Sequence, residues 1–519
     1  MKKPGSRFSV RAAGRGPLTL LLLLPVLAVS QACSLDENPV SVITPDNFFQ
    51  NEEEVLAGLA GVYAPLRTLM EDFLIMGEVT TDEIIVPTRG QDWFDNGRWI
   101  ELYQHTWTAN SPAGLDDTNR AWERFFGGVT DANVVLSGVE GVTIADKEII
   151  VAELRTLRAL YYYSLMDLFG GVPIVTEPVI MARPRPTRAE LFNFLEQELT
   201  AARNDLPTSW PSNMNGRMTR GAADAILASM YLNAEVFTGE VSAGGLQRGQ
   251  ARWQDAIDAA DRVINSGVYS LATDWVSIFT ADNHLSPEPI LVVKHLNQSG
   301  LGWNFMMRTL HYNQISPSPW NGWSTLAETY NKFDQDDLRE DIFLVGPQVN
   351  LDTGEPVNER GGAPLVYRDI NNISQANESE GIRIYKWPAD ADRVQQDNSN
   401  DVALYRLGEM YLIQAEALNE LGNTAAAVDL VNIIRERVFD PDKPLAAGDF
   451  TQATFRDRIL LERLFELFAE SKRRADMIRH DKFGEPRKFM PGSEPYKILF
   501  PIPQLQMDAN PELVQNPGY

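Results

Sequence analysis

Apolar positions recur at three- and four-residue spacing over much of the chain, the period of helices that bury one face. The stretch 404–438 shows this most fully. Leu404, Leu407, Tyr411, Ala415 and Leu418 share one helical face. Gly422-Asn423 then supplies a stop, because both residues tolerate the left-handed conformation that ends a helix. A second helix is expected from Thr424, read as its N-cap, with Ala427, Val431, Ile434 and Val438 on its inner face. The small and apolar residues of this hairpin sit roughly where a tetratricopeptide repeat places them, and such a hairpin needs neighbours to bury its apolar side.

Those neighbours are legible. Residues 52–70 predict a helix with acidic residues in its first turn, and 118–137 one with Trp122, Phe125, Val129 and Ala132 on a single stripe. Residues 152–178 predict a long helix ended by Gly170-Gly171 and Pro173, and its partner runs from near Thr187 to about Asp205. A further pair spans 219–237 and 251–266 around a Gly-rich insertion at 238–250. The expected fold is mainly α, with about four helix pairs at 52–137, 152–205, 219–266 and 404–438 and a few short strands. Near the end, 454–480 predicts one strong helix on which Glu462, Glu466 and Glu470 step by four, and 499–519 reads as mostly extended. Periodicity fails at 82–112 and through most of 297–400, which are rich in Pro, Gly, Asn and Trp. Long irregular stretches on a helical scaffold are where function is expected.

Charge and cysteine usage narrow the partners. The formal charge is −25, and the first 32 residues hold five basic side chains and no acidic one, so residues 33–519 carry −30. A surface that acidic repels nucleic acid and anionic membranes. Cys33 is the sole cysteine, which excludes an intramolecular disulfide and a cysteine-based metal site. The basic start precedes LTLLLLLPVLAV at 18–29, too short to span a bilayer and suited to a secretory signal. Ser30-Gln31-Ala32-Cys33 follows, with a small residue for cleavage at Ala32 and a serine where an aliphatic residue is usual. The expectation is a lipoprotein signal peptide over 1–32, lipidation at Cys33, a polar tether, and one domain over 33–519. An ordinary signal peptide with a chance cysteine is the alternative.

No catalytic constellation emerges. Glu462 and Glu466 are paired carboxylates, but they lie on one face of one helix with arginines close by, which favours an ion-pair ladder over a glycosidase pair flanking a scissile bond. The five histidines are scattered, and Asp334, Asp336 and Asp337 lack the spacing of a calcium loop, so neither a metal nor a cofactor is expected. The irregular segments carry the candidates. Trp93, Trp99, Trp303, Tyr312, Trp320 and Trp323 lie there among Arg89, Asp92, Asn96, Arg98, Asn313 and Asn321. Aromatic faces suit the C–H faces of sugar rings, while amides and charged groups meet the hydroxyls. The competing reading is that these rings cover the core beneath the loops. The ligand site expected from this set is Arg89, Trp93, Asn96, Trp99, Tyr312, Trp320 and Trp323.

LRALYYYSLMDLFGGVPIV at 157–175, NDVALYRLGEMYLIQAEALNELG at 400–422, ILLERLFELFAESKRRADMIR at 459–479 and the ending FPIPQLQMDANPELVQNPGY are four spaced motifs. Together they resemble the SusD/RagB family of outer-membrane nutrient-binding lipoproteins. Asp337 with Arg339, and Leu35-Asp36-Glu37 after Cys33, match as well, so the resemblance runs from Cys33 to Tyr519. Leu464 after Arg463, and Ser471 in place of a usual glycine, are departures that touch helix packing. The resemblance implies a SusD-like fold, no enzymatic activity, a lipid anchor as the only membrane contact, and a cell-surface position on the outer membrane. It implies an oligosaccharide or other nutrient ligand on the irregular side, and a SusC-like TonB-dependent transporter against the helix pairs. A peptide- or glycoprotein-glycan-binding member of the family, or a tetratricopeptide-type envelope scaffold, remains the alternative.

Overall fold

In a computed structural model of the chain, residues 48–179 and 181–519 are described; the expected signal segment, Cys33 and the expected tether lie outside them. Helices dominate. The longer ones are, in chain order, α1 (Glu52–Tyr63), α2 (Leu66–Gly77), α3 (Arg98–Gln104), α4 (Asn119–Glu140), α5 (Lys147–Phe169), α6 (Arg188–Asp205), α7 (Arg220–Leu232) and α8 (Trp253–Ile264). After a long irregular region come α9 (Leu407–Glu420), α10 (Thr424–Glu436), α11 (Gln452–Leu467) and α12 (Arg473–Arg479). They pack in series: α1 on α4, α4 on α5, α5 on α6, α6 on α7, α7 on α8, α8 on α9 and α9 on α10. Each helix thus buries its apolar stripe against the next, as stacked repeats do. The described residues all fall in one compact unit.

Local chemistry accounts for several boundaries. Thr187 caps α6 by accepting from the Glu190 N–H, while the Glu190 carboxylate accepts from the Thr187 N–H at 2.8 Å, a full capping box. Gly422 sits at φ +85 and closes α9 as expected. Strands are few: four two-stranded antiparallel sheets occur among the described residues, including β1 (Pro289–Val293) paired with β2 (Val402–Arg406). The Gly-rich insertion forms a small hairpin, Glu240–Ser242 against Gly245–Gln247.

Other boundaries differ from the periodic reading. The helix expected over 52–70 is two, α1 and α2, because Pro65 has no N–H to continue the first ladder. Leu404 lies in β2 rather than in a helix, since pairing with β1 overrides its helical phase. Thr424 is the first helical residue of α10, and its hydroxyl donates to Asn419 rather than capping. Residues 82–112 hold the short helix α3, and the extended tail holds another at Gln504–Ala509. The single helix expected over 454–480 breaks after Leu467, where Ala469 and Ser471 take φ of +59 and +63. Two carboxylates hold that break: Glu83 accepts from the Ala469 N–H at 2.6 Å and Glu78 from the Lys472 N–H at 3.0 Å.

The glutamate ladder is an ion-pair network, but a buried one with distant partners. Arg339 donates to Glu462 at 2.7 Å and Glu466 at 3.0 Å, Arg406 to Glu466 at 2.6 Å and Glu470 at 2.8 Å, and Arg437 to Glu466 at 2.5 Å. Asp337 completes it by accepting from Arg339 at 2.7 Å. The network ties the irregular region to the end of the helical series. Asp334 and Asp336 instead face Lys443 at 2.9 and 2.6 Å.

Candidate functional site

Segments 85–97, 305–325 and 366–384 converge on one another; the last two, expected to be irregular, hold a short helix at Phe305–Thr309 and short strands at Val366–Tyr367 and Arg383–Ile384. Ile85 bridges Ser324, and Thr325 bridges Ile382. Residues 320–323 run along the turn of 307–310, with the Trp320 N–H on Met307 O at 2.6 Å and the Trp323 N–H on Arg308 O at 2.7 Å. Arg89 and Asp92 exchange backbone hydrogen bonds of 2.9 and 3.0 Å around Gly90, closing a tight turn. The chain then passes through Trp93 (φ +60), Asp95 (+37), Asn96 (+55) and Gly97 (+86). Three non-glycine residues in left-handed conformations within four positions is the kind of strain that tertiary structure must hold in place.

Trp93 sits at the centre. Its Nε1 donates to Trp320 O at 2.7 Å, and its ring lies 5.5 Å from that of Trp99, which in turn lies 6.3 Å from Trp323. Gly322 permits the approach, since a Cβ there would stand 2.2 Å from the Trp93 ring. Trp93, Tyr312 and Trp320 are half-buried and Asn96 is exposed, whereas Trp99, Trp323 and Arg89 are buried. Of the seven side chains expected to face ligand, these last three support the surface from below. Trp99 carries Arg98 stacked at 4.0 Å and donates to Asp95 at 2.6 Å; Arg308 lies 5.2 Å from the Trp323 ring and 5.3 Å from Trp320. Arg89 donates to Asn321 O at 2.8 Å and to Asn377 O, joining two loops. Burial, with Arg383 nearby, pushes its guanidinium down from the usual range. Trp303 belongs to a buried aromatic cluster with Phe305 and Trp387.

A polar arc borders the rings, and two of its members were not singled out by sequence. Tyr312 donates to Asp92 at 2.5 Å, and burial together with that bond pushes its phenol up to about 12. Arg360 stacks 3.8 Å over the Tyr312 ring and donates to Asp92 at 3.1 Å and Glu378 at 2.5 Å. Glu378 also accepts from the Arg360 N–H at 2.9 Å and meets His311 Nε2 at 3.0 Å. Burial lowers the pKa of His311, consistent with a neutral ring whose Nδ1 accepts from the Asn313 N–H at 3.2 Å. No short-range pattern marks Arg360 or Glu378, because their partners lie in other loops. Among the described residues no group of His, Cys, Asp and Glu is arranged to hold a metal, and no helix is long and apolar enough to cross a membrane.

The serial helix pairs thus present a loop-built surface of half-exposed aromatic rings and paired polar groups. The family described as "SusD family" matches residues 355–519, and the one described as "Starch-binding associating with outer membrane" matches residues 35–232. The chain belongs to the SusD family. It is 24% identical to SusD-like protein P25 of Formosa agariphila over 93% of this chain and 96% of that protein. It is 26% identical to the starch-binding protein SusD of Bacteroides thetaiotaomicron over 85% of this chain and 84% of that one. A laminarin-binding SusD-like protein of solved structure is 25% identical, with a TM-score of 0.71 over 91% of this chain and 100% of its own. A SusD-like protein from Bacteroides fragilis shares the fold at a TM-score of 0.75 and 21% identity, over 91% of this chain and 98% of its own.

Proposed function

We propose that the protein is a non-enzymatic oligosaccharide-binding lipoprotein of the outer-membrane surface. One observation carries the reading: Trp93, Tyr312 and Trp320 emerge half-exposed beside the Asp92–Arg360–Glu378 arc. Rings of this kind offer apolar faces to sugars, and the arc offers donors and acceptors already held in place. Relatives named for starch and laminarin binding support the ligand class.

The partner in this reading is a SusC-like TonB-dependent transporter. Lipidated Cys33 and the tether hold the body at the membrane, and the serial helices offer a broad surface for the barrel. Ligand then drives a lid towards its closed state only if it binds that state better. Gentle detergent extraction of native outer membrane should return a large barrel protein with this one at about one-to-one. Recovery of the lipoprotein alone, with uptake unchanged on deletion of the transporter, would leave a free-standing binder. Absence of ligand-induced stabilisation by any glycan or peptide would favour a scaffold instead.

A further inference from the structure

A cleft of about 700 Å³ opens on the other side of the strained turn that carries Trp93. Asp95, Asn96 and Arg98 form one wall, and the wide helical turn at Gly114–Thr118 with the start of α4 forms the other. Its volume falls in the range of small-molecule sites. Its chemistry is mixed in a particular way. Leu115 is 49% exposed and stands with Pro112 as an apolar patch, while Asn96 and Asn110 expose their amides and Asp116 and Glu123 their carboxylates. The two arginines are already matched. Arg120 meets Asp72 at 2.9 Å, Asp116 at 2.5 Å and Asp117 at 2.8 Å, and Arg98 pairs with buried Asp117. Among the described residues no unpaired cation lines the cleft, so an anionic ligand would find no free positive charge there and would face the exposed carboxylates of Asp116 and Glu123. A polyhydroxylated neutral ligand meets amide donors, carboxylate acceptors and an apolar patch, the groups its hydroxyls and C–H faces need.

The cleft is also wired to the aromatic surface. Asp95 accepts from Trp99 Nε1 at 2.6 Å, and Trp99 packs on Trp93 at 5.5 Å, so one turn of chain separates the two. We propose that this cleft is a second subsite, taking an uncharged sugar chain that continues from the aromatic surface across the Asp95–Gly97 turn. The inference rests on the glycan reading above, and its test separates the two.

Calorimetry would compare neutral di- and hexasaccharides of glucose, mannose, xylose and galactose with a uronic acid hexamer. The proteins are the wild type, Trp93→Ala and the double variant Asn110→Ala/Leu115→Ala, whose altered residues are both exposed. An unfolding curve checks that the double variant is folded. For the best neutral series the hexasaccharide should bind the wild type about tenfold more tightly than the disaccharide. The double variant should lose that gain and keep wild-type affinity for the disaccharide. If the double variant binds the hexasaccharide like the wild type while Trp93→Ala weakens it, the cleft proposal falls and the aromatic reading stands. If Trp93→Ala changes nothing but the double variant still loses the length gain, the aromatic reading falls, and with it the continuous path from the rings into the cleft. Tighter binding of the uronic acid hexamer would overturn the neutral class, and no binding of any neutral glycan would overturn both.

Discussion

Glu466→Gln should destabilise the protein strongly, because the three arginines that meet this carboxylate come from three separate segments of the chain. The Glu466 carboxylate is fully buried and accepts from Arg339, Arg406 and Arg437 and from Trp275 Nε1 at 3.1 Å. Burial alone would raise its pKa, but the three guanidiniums overcome this and hold it well below the carboxylate range. Glutamine preserves the shape and one acceptor oxygen but leaves the cations short of one charge. Breaking a buried ion pair from one side costs about 3–5 kcal/mol. An unfolding entropy of about 1 kcal/mol/K for a body of this length makes that a Tm loss of roughly 3–5 °C. The pH dependence adds a second reading. A depressed carboxylate contributes stability above its unfolded pKa of 4.5, lost as pH falls below that value. The gap between wild type and variant should therefore narrow on acidification. Urea unfolding followed by tryptophan fluorescence, repeated from neutral to acid pH, measures both. A variant as stable as wild type at neutral pH, or a gap that widens in acid, would refute the reasoning.

Further outcomes follow from other parts of the fold. Burial, with each carboxyl beside the other, raises the neighbouring Glu78 and Glu83 well above the usual carboxylate range, so the pair's contribution is complete below 4.5 and is lost as pH rises from there through the raised values. Wild type should lose up to about 1.4 kcal/mol per pH unit over that window. The double variant Glu78→Gln/Glu83→Gln should flatten this limb, and a double variant whose stability falls with pH as steeply as the wild type's in urea titrations between about pH 6 and about pH 8.5 would contradict it. Gly128→Ala places a methyl 2.4 Å from the Tyr161 ring, where α4 meets α5, and should cost about 1–3 kcal/mol by chemical denaturation. Cys33→Ala should release the protein from the outer membrane, and mass spectrometry finding an unmodified Cys33 in the native protein would remove the anchor.

What was legible in the sequence was what depends on neighbours along the chain. Three- and four-residue spacing located the helices that bury one stripe, while α7 is buried on every face from Ala222 to Leu232, and Thr187 and Gly422 marked ends because caps are local. The breaks at Pro65 and after Leu467 show the limit. Pro65 was a visible signal, whereas the turn at Ala469–Ser471 is held by Glu78 and Glu83, far away in sequence. The candidate site divides in the same way. Irregular, Trp-rich segments pointed to Trp93, Tyr312 and Trp320, yet exposure separates these from Trp99 and Trp323, and exposure is a tertiary property. Arg360 and Glu378 left no mark, since each matters only through a loop it meets in space.

The central claim is that the loop-borne rings bind a glycan, and the most direct measurement is calorimetric affinity for the best-binding oligosaccharide across Trp93→Ala, Tyr312→Ala and Trp320→Ala. Each lost ring face should remove on the order of 1–2 kcal/mol, roughly 5–30-fold in Kd, with the fold retained. If all three variants bind that oligosaccharide as tightly as the wild type, the ligand does not rest on this surface and the account of the site is wrong.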